Sequence, residues 1–402
     1  MRVLCCCTCI VLSACGVVAA VAEDITVIKT GARKIDIDVS GFAHGNSKQE
    51  KSFYATLCND LERWGWFRLN RESTIRLAGN CLMKGGSLVV TASVVNKSDG
   101  KSYLQRNYTE NISSARTLAH RLADDLVQEL QGHRGVAATR IAMIGEINGR
   151  KDLYICDVDG QRVIQMTRDG VPCLSPDWNP SASRVYYTSF HRGFPDVYAI
   201  DVANRKRLQA SKQPGVNAGP AISPDGKQMA LTLSRDGNPE LYIKNLRSGR
   251  LQRLTKTRQA AEASPSWSPD GAQIVYVSDK SGSPQLYITS RSGGRSQRLT
   301  THQRGESVSP DWGPDGRIVY SGKRGGSYQI CMTDANGGSE KQLTKSGGDH
   351  EEPSWAPDGR HIVYSKTVGY SMSLYILDSL GDPEIRLTTF KGDWYSPAWS
   401  PR

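Results

Sequence analysis

The sequence predicts a mainly β protein: a six-bladed β-propeller over the C-terminal two-thirds, preceded by a small α/β domain. Three observations carry this. An apolar anchor followed by a Pro-Asp-Gly turn recurs at Trp178, Ile222, Trp267, Trp312, Trp355 and Trp399, with spacings of 44, 45, 45, 43 and 44 residues. That period suits a blade of four short strands. The units at the two ends of the repeat are complementary fragments of one blade. The residues before the repeat instead show helical apolar stripes.

The unit opening at Ser264-Pro265-Ser266-Trp267 illustrates the blade. Trp267 lies on a short inner strand, and Pro269-Asp270-Gly271 turns the chain, proline presetting φ and glycine accepting a positive one. A second strand follows at Gln273–Val277, a third at Gln285–Ile288, and a fourth closes at Leu299-Thr300. The third strand recurs as Leu153-Tyr154-Ile155, Val197-Tyr198-Ala199, Leu241-Tyr242-Ile243, Leu286-Tyr287-Ile288, Ile330-Cys331-Met332 and Leu374-Tyr375-Ile376. The closing pair recurs as Met166-Thr167, Leu208-Gln209, Leu254-Thr255, Leu299-Thr300, Leu343-Thr344 and Leu387-Thr388. The first unit, Thr139 to Thr167, lacks an anchor strand, and the anchor at Tyr395–Trp399 has no strands after it. Placing the last strand in the first blade closes the ring and removes exposed sheet edges.

Ahead of the propeller, Ile25 to Val39 is strand-like, and Lys51 to Trp64 reads as a helix with Phe53, Leu57 and Leu61 on one face. Gly86–Val95 and Lys101–Tyr108 form a hairpin around Ser98-Asp99-Gly100. Ser113 to Leu130 is the strongest helix, with a Leu118, Leu122, Leu126, Leu130 stripe and Gly132 as its stop. Between helix and hairpin, Arg76 to Lys84 is a poor strand. The domains are therefore expected at 23–133 and 139–402, after an export signal at 1–22.

The start supports that signal: Met1-Arg2 precedes an apolar run from Val3 to Val21, and Ala20-Val21-Ala22 is a cleavage pattern leaving Glu23 first. Leu12-Ser13-Ala14-Cys15 is an alternative, a lipobox that would leave a lipid anchor on Cys15; an N-terminal membrane anchor is a third. Beyond the signal, Cys58, Cys81, Cys156, Cys173 and Cys331 remain. An odd, scattered set is no disulfide framework, although Cys58–Cys81 and Cys156–Cys173 could pair; buried free thiols are the other reading. No zinc spacing appears and no cofactor is expected. The net charge of +11 is dispersed, without a run of five basic residues or a nucleic-acid motif, so nucleic acid is excluded as a partner.

Taken in order, these features resemble the TolB family, periplasmic propeller proteins of the Tol–Pal system. The resemblance rests on the signal, the α/β domain, the helix ending Ala123-Asp124-Asp125-Leu126-Val127-Gln128-Glu129-Leu130, and the entry strand Thr139-Arg140-Ile141-Ala142. Six blades of the W-S-P-D-G type and the terminal Ser396-Pro397-Ala398-Trp399-Ser400-Pro401 complete it. It implies a binding protein that engages a Pal-like outer-membrane lipoprotein at the channel mouth and a TolA-like inner-membrane protein through the mature N-terminus. The departure is in the first domain, which looks short and lacks a clear apolar strand before the hairpin.

The loops entering the inner strands give the candidate partner site: Asn217, Glu262, Glu306, His350, Glu351, Asp393, Trp394 and Tyr395. The set is acidic and polar, with two aromatic anchors. The N-terminal segment offers Asp24, Ile25, Val27 and Ile28 as an extended peptide for a partner's sheet edge or groove. Asp349-His350-Glu351-Glu352 reads as a solvated loop and not a metal site, because neighbours on a strand point to opposite faces. No G-x-S-x-G elbow occurs, and the sequence stops where a prolyl-oligopeptidase-type chain would enter its hydrolase domain. Binding without catalysis is the expectation. The alternatives are a periplasmic propeller enzyme acting on a polysaccharide or peptide, and a lipid-anchored scaffold.

Overall fold

The computed structural model describes residues 34–301 and 305–401. The α/β domain comprises β1 (Ile35–His44), α1 (Lys48–Arg63), β2 (Phe67–Leu69), β3 (Ile75–Lys84), β4 (Ser87–Asn96), β5 (Ser102–Asn111) and α2 (Ala115–Gln131). Its sheet runs β2-β1-β3-β4-β5, with β1 parallel to both neighbours and the remaining pairs antiparallel. α1 begins earlier than its apolar face suggests because Ser47 caps it. The Glu50 N–H donates to Ser47 Oγ at 3.2 Å and the Ser47 N–H to Glu50 Oε2 at 2.9 Å. That reciprocal box is worth about 1 kcal/mol. Glu50 Oε1 also accepts the Met83 N–H at 2.8 Å, tying the helix to β3. Phe53, Leu57 and Leu61 of α1 and Leu118, Leu122 and Leu126 of α2 are all buried against Leu77, Leu88, Val90 and Val94 of the sheet. α2 stops at Gly132, whose φ of 68° suits glycine and whose N–H reaches Gln128 O.

The segment Arg76 to Lys84 corrects the sequence reading: it lies within β3, a central strand of the sheet. Its inward positions are Leu77, Gly79 and Cys81, so a glycine interrupts the apolar alternation. A Cβ at Gly79 would meet Thr91 O at 2.0 Å, and its φ is 145°. Close approach of β4 therefore requires the residue that hid the strand. The short β2 was also not expected, and the strand-like stretch from Ile25 is seen only from β1 onward, its earlier part lying outside the described residues.

Six four-stranded antiparallel sheets follow. The first blade is built from both ends: β6 (Arg140–Ile147), β7 (Arg150–Asp157) and β8 (Ile164–Gln165) are joined by the strand Asp393–Trp399, which pairs with β6 as its innermost member. The expected closure is thus the observed one. Neighbouring blades bury mixed apolar clusters, such as Tyr187 and Val185 with Ile144 and Ile155. Every innermost strand bulges three residues before its anchor, where Ser175, Gly219, Ser264, Ser309, Glu352 and Ser396 all have φ between 46° and 57°. A proline follows each. The inner strand is an edge facing the channel, and proline there removes a donor that would otherwise lack a strand partner.

The closing threonines have a mechanical role. Thr167, Thr255, Thr300, Thr344 and Thr388 each accept, on Oγ1, the N–H of the residue fourteen earlier, at 2.8–3.0 Å. In the second blade the pair expected at Leu208-Gln209 is displaced. Leu208 is exposed, and the buried residues are Ala210 and Ser211, Ser211 facing Val197 across a bulge. Ser211 keeps the fourteen-residue spacing from Val197 that the other blades show, so the closing pair is Ala210-Ser211, two residues beyond the one expected.

All five described cysteines are free, so neither pairing considered above forms. Burial pushes the Cys331 thiol up to about 11. The α/β domain packs on the propeller through Arg360. Its Nη2 donates to Gly65 O at 3.1 Å, its Nε to Asp378 Oδ2 at 2.8 Å, and its guanidinium lies 4.3 Å from the Trp66 ring centre. Trp64 meets Trp399 and His361 edge-on.

Candidate partner-binding channel and its mouths

Antiparallel strands alternate in direction. The loops entering the inner strands and the turns between second and third strands therefore share one face of the ring. The Pro-Asp-Gly turns and the third-to-fourth turns share the other. The α/β domain touches Arg360, His361, Asp382 and Asp159, all of the second face. The entry loops accordingly open on the mouth away from that domain.

Between the mouths runs a channel with a cavity of about 590 Å³. Its wall repeats the bulge residue, the proline and the anchor of each inner strand, with Arg134 from the interdomain linker at the domain-facing end. All six blade junctions are hydrogen-bonded at this wall. At four, the residue before the anchor accepts the next anchor's N–H. The pairs are Asp177 with Ile222 (2.6 Å), Ser266 with Trp312 (3.0 Å), Asp311 with Trp355 (2.7 Å) and Ser354 with Trp399 (3.1 Å). At the other two that residue is alanine, and the next anchor's indole Nε1 donates to its carbonyl: Trp178 to Ala398 O at 3.0 Å and Trp267 to Ala221 O at 2.9 Å. Asp177 and Asp311 touch the channel but are enclosed by protein, and burial pushes them up to about 7 and about 6. Glu352 adds a bridge, its carboxylate accepting the Ser396 N–H and hydroxyl at 2.8 Å each.

The eight entry-loop candidates divide. Asn217, Glu262, His350 and Trp394 are at most 1% exposed. They pin the loop from inside. Asn217 Oδ1 accepts the Gln213 N–H at 2.7 Å, and Glu262 Oε2 accepts the Thr257 hydroxyl at 3.0 Å. His350 Nε2 lies 3.0 Å from Ser346 Oγ. Trp394 packs edge-on against Phe390 and Tyr154 and covers Gly145, where a Cβ would meet its ring at 2.4 Å. The Ser346–His350 contact, with Lys366 Nζ 2.9 Å from the same hydroxyl, resembles a nucleophile beside a base. The Asn217 and Glu262 pairs at the same repeat position mark it instead as the sixth blade's version of a structural pin. The stretch Asp349–Glu352 begins an inner strand, Asp349–Trp355, and is not the loop expected.

Glu306, Glu351, Asp393 and Tyr395 are half-buried and reach the mouth. The Tyr328 hydroxyl and Lys323 hold the Glu306 carboxyl below its usual range. Burial, with Glu352 and Asp349 beside it, pushes Glu351 up. Asp393 accepts the Met372 N–H at 2.9 Å, and Lys151 lies 5.6 Å over the Tyr395 ring. The sequence reading missed Phe194 and Tyr370, 73% and 103% exposed on turns of the same face. Those turns lie outside the repeat's fixed residues, which is why no pattern pointed to them. Asp24, Ile25, Val27, Ile28 and Cys15 lie outside the described residues. No described helix is long and apolar enough to cross a membrane.

A ring closed by its own C-terminal strand, walled by a bulge and a proline from every inner strand and joined to an α/β domain, defines a six-bladed propeller protein with tryptophan anchors in five blades. The model of the TolB beta propeller domain matches residues 127–402, and the chain belongs to that family. It is similar to the Protein TolB homolog of Chlorobaculum tepidum, 31% identical over 259 residues covering 59% of each chain. It is also 31% identical to the Tol-Pal system protein TolB of Dechloromonas aromatica over 192 residues, 42% of this chain and 45% of that one. The chain thus spans 59% and 45% of these two relatives' lengths. The crystal structure of TolB from Acinetobacter baumannii superposes with a TM-score of 0.82 at 25% identity, covering 93% of this chain and 98% of that one.

Proposed function

We propose that the chain is the periplasmic, non-catalytic binding component of a Tol–Pal system. In this reading it holds a Pal-like outer-membrane lipoprotein at the entry-loop mouth. It also meets a TolA-like inner-membrane protein through Asp24, Ile25, Val27 and Ile28, serving outer-membrane integrity and constriction at division. The observation that carries the reading is the match to the Acinetobacter TolB structure across both domains. The mouth's chemistry supports it. Glu306, Glu351 and Asp393 set an acidic rim around Tyr395, with Phe194 and Tyr370 exposed on the same face. Exposed aromatics beside a charged rim suit a protein partner with basic and apolar groups.

The test is capture of a purified Pal-like lipoprotein domain from the same organism by the exported chain. Charge reversal at Glu306 and Glu351 together, with Tyr370→Ala, is expected to weaken capture at least tenfold. Removing residues 23–33 is expected to abolish capture of the TolA-like domain and leave the lipoprotein bound. Absence of lipoprotein capture by the unaltered chain would refute the reading.

A further inference from the structure

The junction between α2 and the first blade assembles a set of groups that the channel does not use. His120, on α2, is 2% exposed. Its Nδ1 lies 2.6 Å from Asp60 Oδ2 on α1. A carboxylate can only accept, so Asp60 fixes the proton on Nδ1 and leaves Nε2 as a lone pair. That Nε2 is buried without a hydrogen-bond partner. It faces Asp157, the last residue of β7, and Asp159 in the turn beyond. The nitrogen and one oxygen of each carboxylate lie within 4.8 Å of one another. Both carboxylate side chains are at most 5% exposed. A cavity of about 270 Å³ adjoins them, lined by His120, Asp157, Thr117, Thr139, Arg140 and Arg162 among others.

A neutral imidazole lone pair aimed at two carboxylates is electrostatically unfavourable unless something positive sits between them. Arginines already hold the outer sides. Arg162 forks Asp157 through Nε at 2.7 Å and Nη2 at 3.0 Å. Arg116 pairs with Asp159, whose other oxygen accepts the Gln161 N–H at 3.1 Å. Arg63 is close enough for Asp60 and Asp159 to act on its charge. None of these reaches Nε2. The geometry points to a zinc-class divalent cation bound by His120 Nε2, Asp157 and Asp159, with water from the cavity as fourth ligand. One imidazole, two carboxylates and a water form a zinc-type donor set. Asp60 supplies the carboxylate–imidazole support that metal-binding histidines carry on their second nitrogen. Because two ligands come from the propeller and one from α2, the ion would clasp the domains together.

The test uses the intact mature chain stripped with chelator. Calorimetric titration with Zn²⁺ is expected to show one site per chain, and Co²⁺ to give the visible absorption of a tetrahedral nitrogen–oxygen site. His120→Gln and Asp159→Asn, each checked for an unchanged melt in chelator, are expected to weaken the site at least tenfold and remove the Co²⁺ spectrum. Arg116→Met, which frees an Asp159 oxygen, is expected to tighten it. If His120→Gln fails to fold, the Asp159→Asn and Arg116→Met pair decides alone. No saturable binding, or binding unchanged in the variants, overturns the proposal and leaves a water or a proton at Nε2.

Discussion

The indole Nε1 of Trp178 donates to the carbonyl of Ala398 at 3.0 Å, joining residues 220 apart in the chain. It fastens the second blade to the strand that completes the first. Trp178→Phe removes this donor together with part of the buried ring, leaving the Ala398 carbonyl short of a partner. Urea denaturation is expected to show a loss of at least about 1 kcal/mol. A change indistinguishable from zero would mean that the indole does not hold the junction.

Arg360 is 3% exposed and joins Gly65 of the α/β domain to Asp378 of the sixth blade. Arg360→Met removes the cation and strands the Asp378 carboxylate. A loss of about 3 kcal/mol is expected, in the range found when one partner of a buried pair is removed. Two unfolding transitions in place of one, read by calorimetry, would show the domains uncoupling.

Glu262 and Glu240 sit together under the fourth blade's entry loop. Burial pushes Glu262 up to about 7 from an ordinary 4.5, with the Glu240 charge adding to it. For Glu240 burial acts in the same direction, but hydrogen bonds from Thr255, Thr257 and Arg253 outweigh it and hold the carboxyl low. Between pH 4.5 and 7 the folded state thus keeps a proton on Glu262 that the unfolded chain has lost. Stability falls as pH rises through that window. At about 1.4 kcal/mol per unit the contribution is about 3–4 kcal/mol. Glu262→Gln is expected to be more stable than the parent at pH 8 and close to it at pH 5. Parallel melting curves from pH 5 to 8 for the two proteins would contradict this.

Gly79 leaves no room for a side chain against Thr91 O. Gly79→Ala is expected to cost more than about 2 kcal/mol, since both the contact and the positive φ must relax. Gly100→Ala, where a Cβ meets nothing within 4 Å, isolates the conformational share alone. Equal losses from the two would remove close strand approach as the reason for Gly79.

The propeller was legible because its anchors and turns demand particular residues at a fixed period. Its closure was legible because Thr139–Thr167 and Tyr395–Trp399 are complementary fragments. β3 was not, because Gly79 takes an inward position where a strand normally shows an apolar side chain. The slip at Leu208 came from composition: Ala210-Ser211 holds the regular position fourteen residues after Val197, but Leu208-Gln209 looks more like the Leu-Thr pair of the other blades. The mouth was legible in outline only. Five residues before the anchors of the inner strands stand Cys173, Asn217, Glu262, Ser307, His350 and Trp394. Read one at a time, the polar ones suggest solvent. Aligned, the cysteine and tryptophan at the same place point inward. His120, Asp157 and Asp159 could not be grouped at all, since only tertiary packing brings α2 to the end of β7.

The strand Asp393–Trp399 that completes the first blade is made long after its partner β6. During synthesis, then, β6 waits with an unpaired edge while some 250 residues are added. Until they arrive the chain cannot lock shut, and the closure entropy of a loop that long must be met late and all at once. A protein arranged in this way stays pliable until that strand is made and becomes rigid once it pairs with β6. Shortening it by a single strand would therefore forfeit the ring and not merely one blade of it.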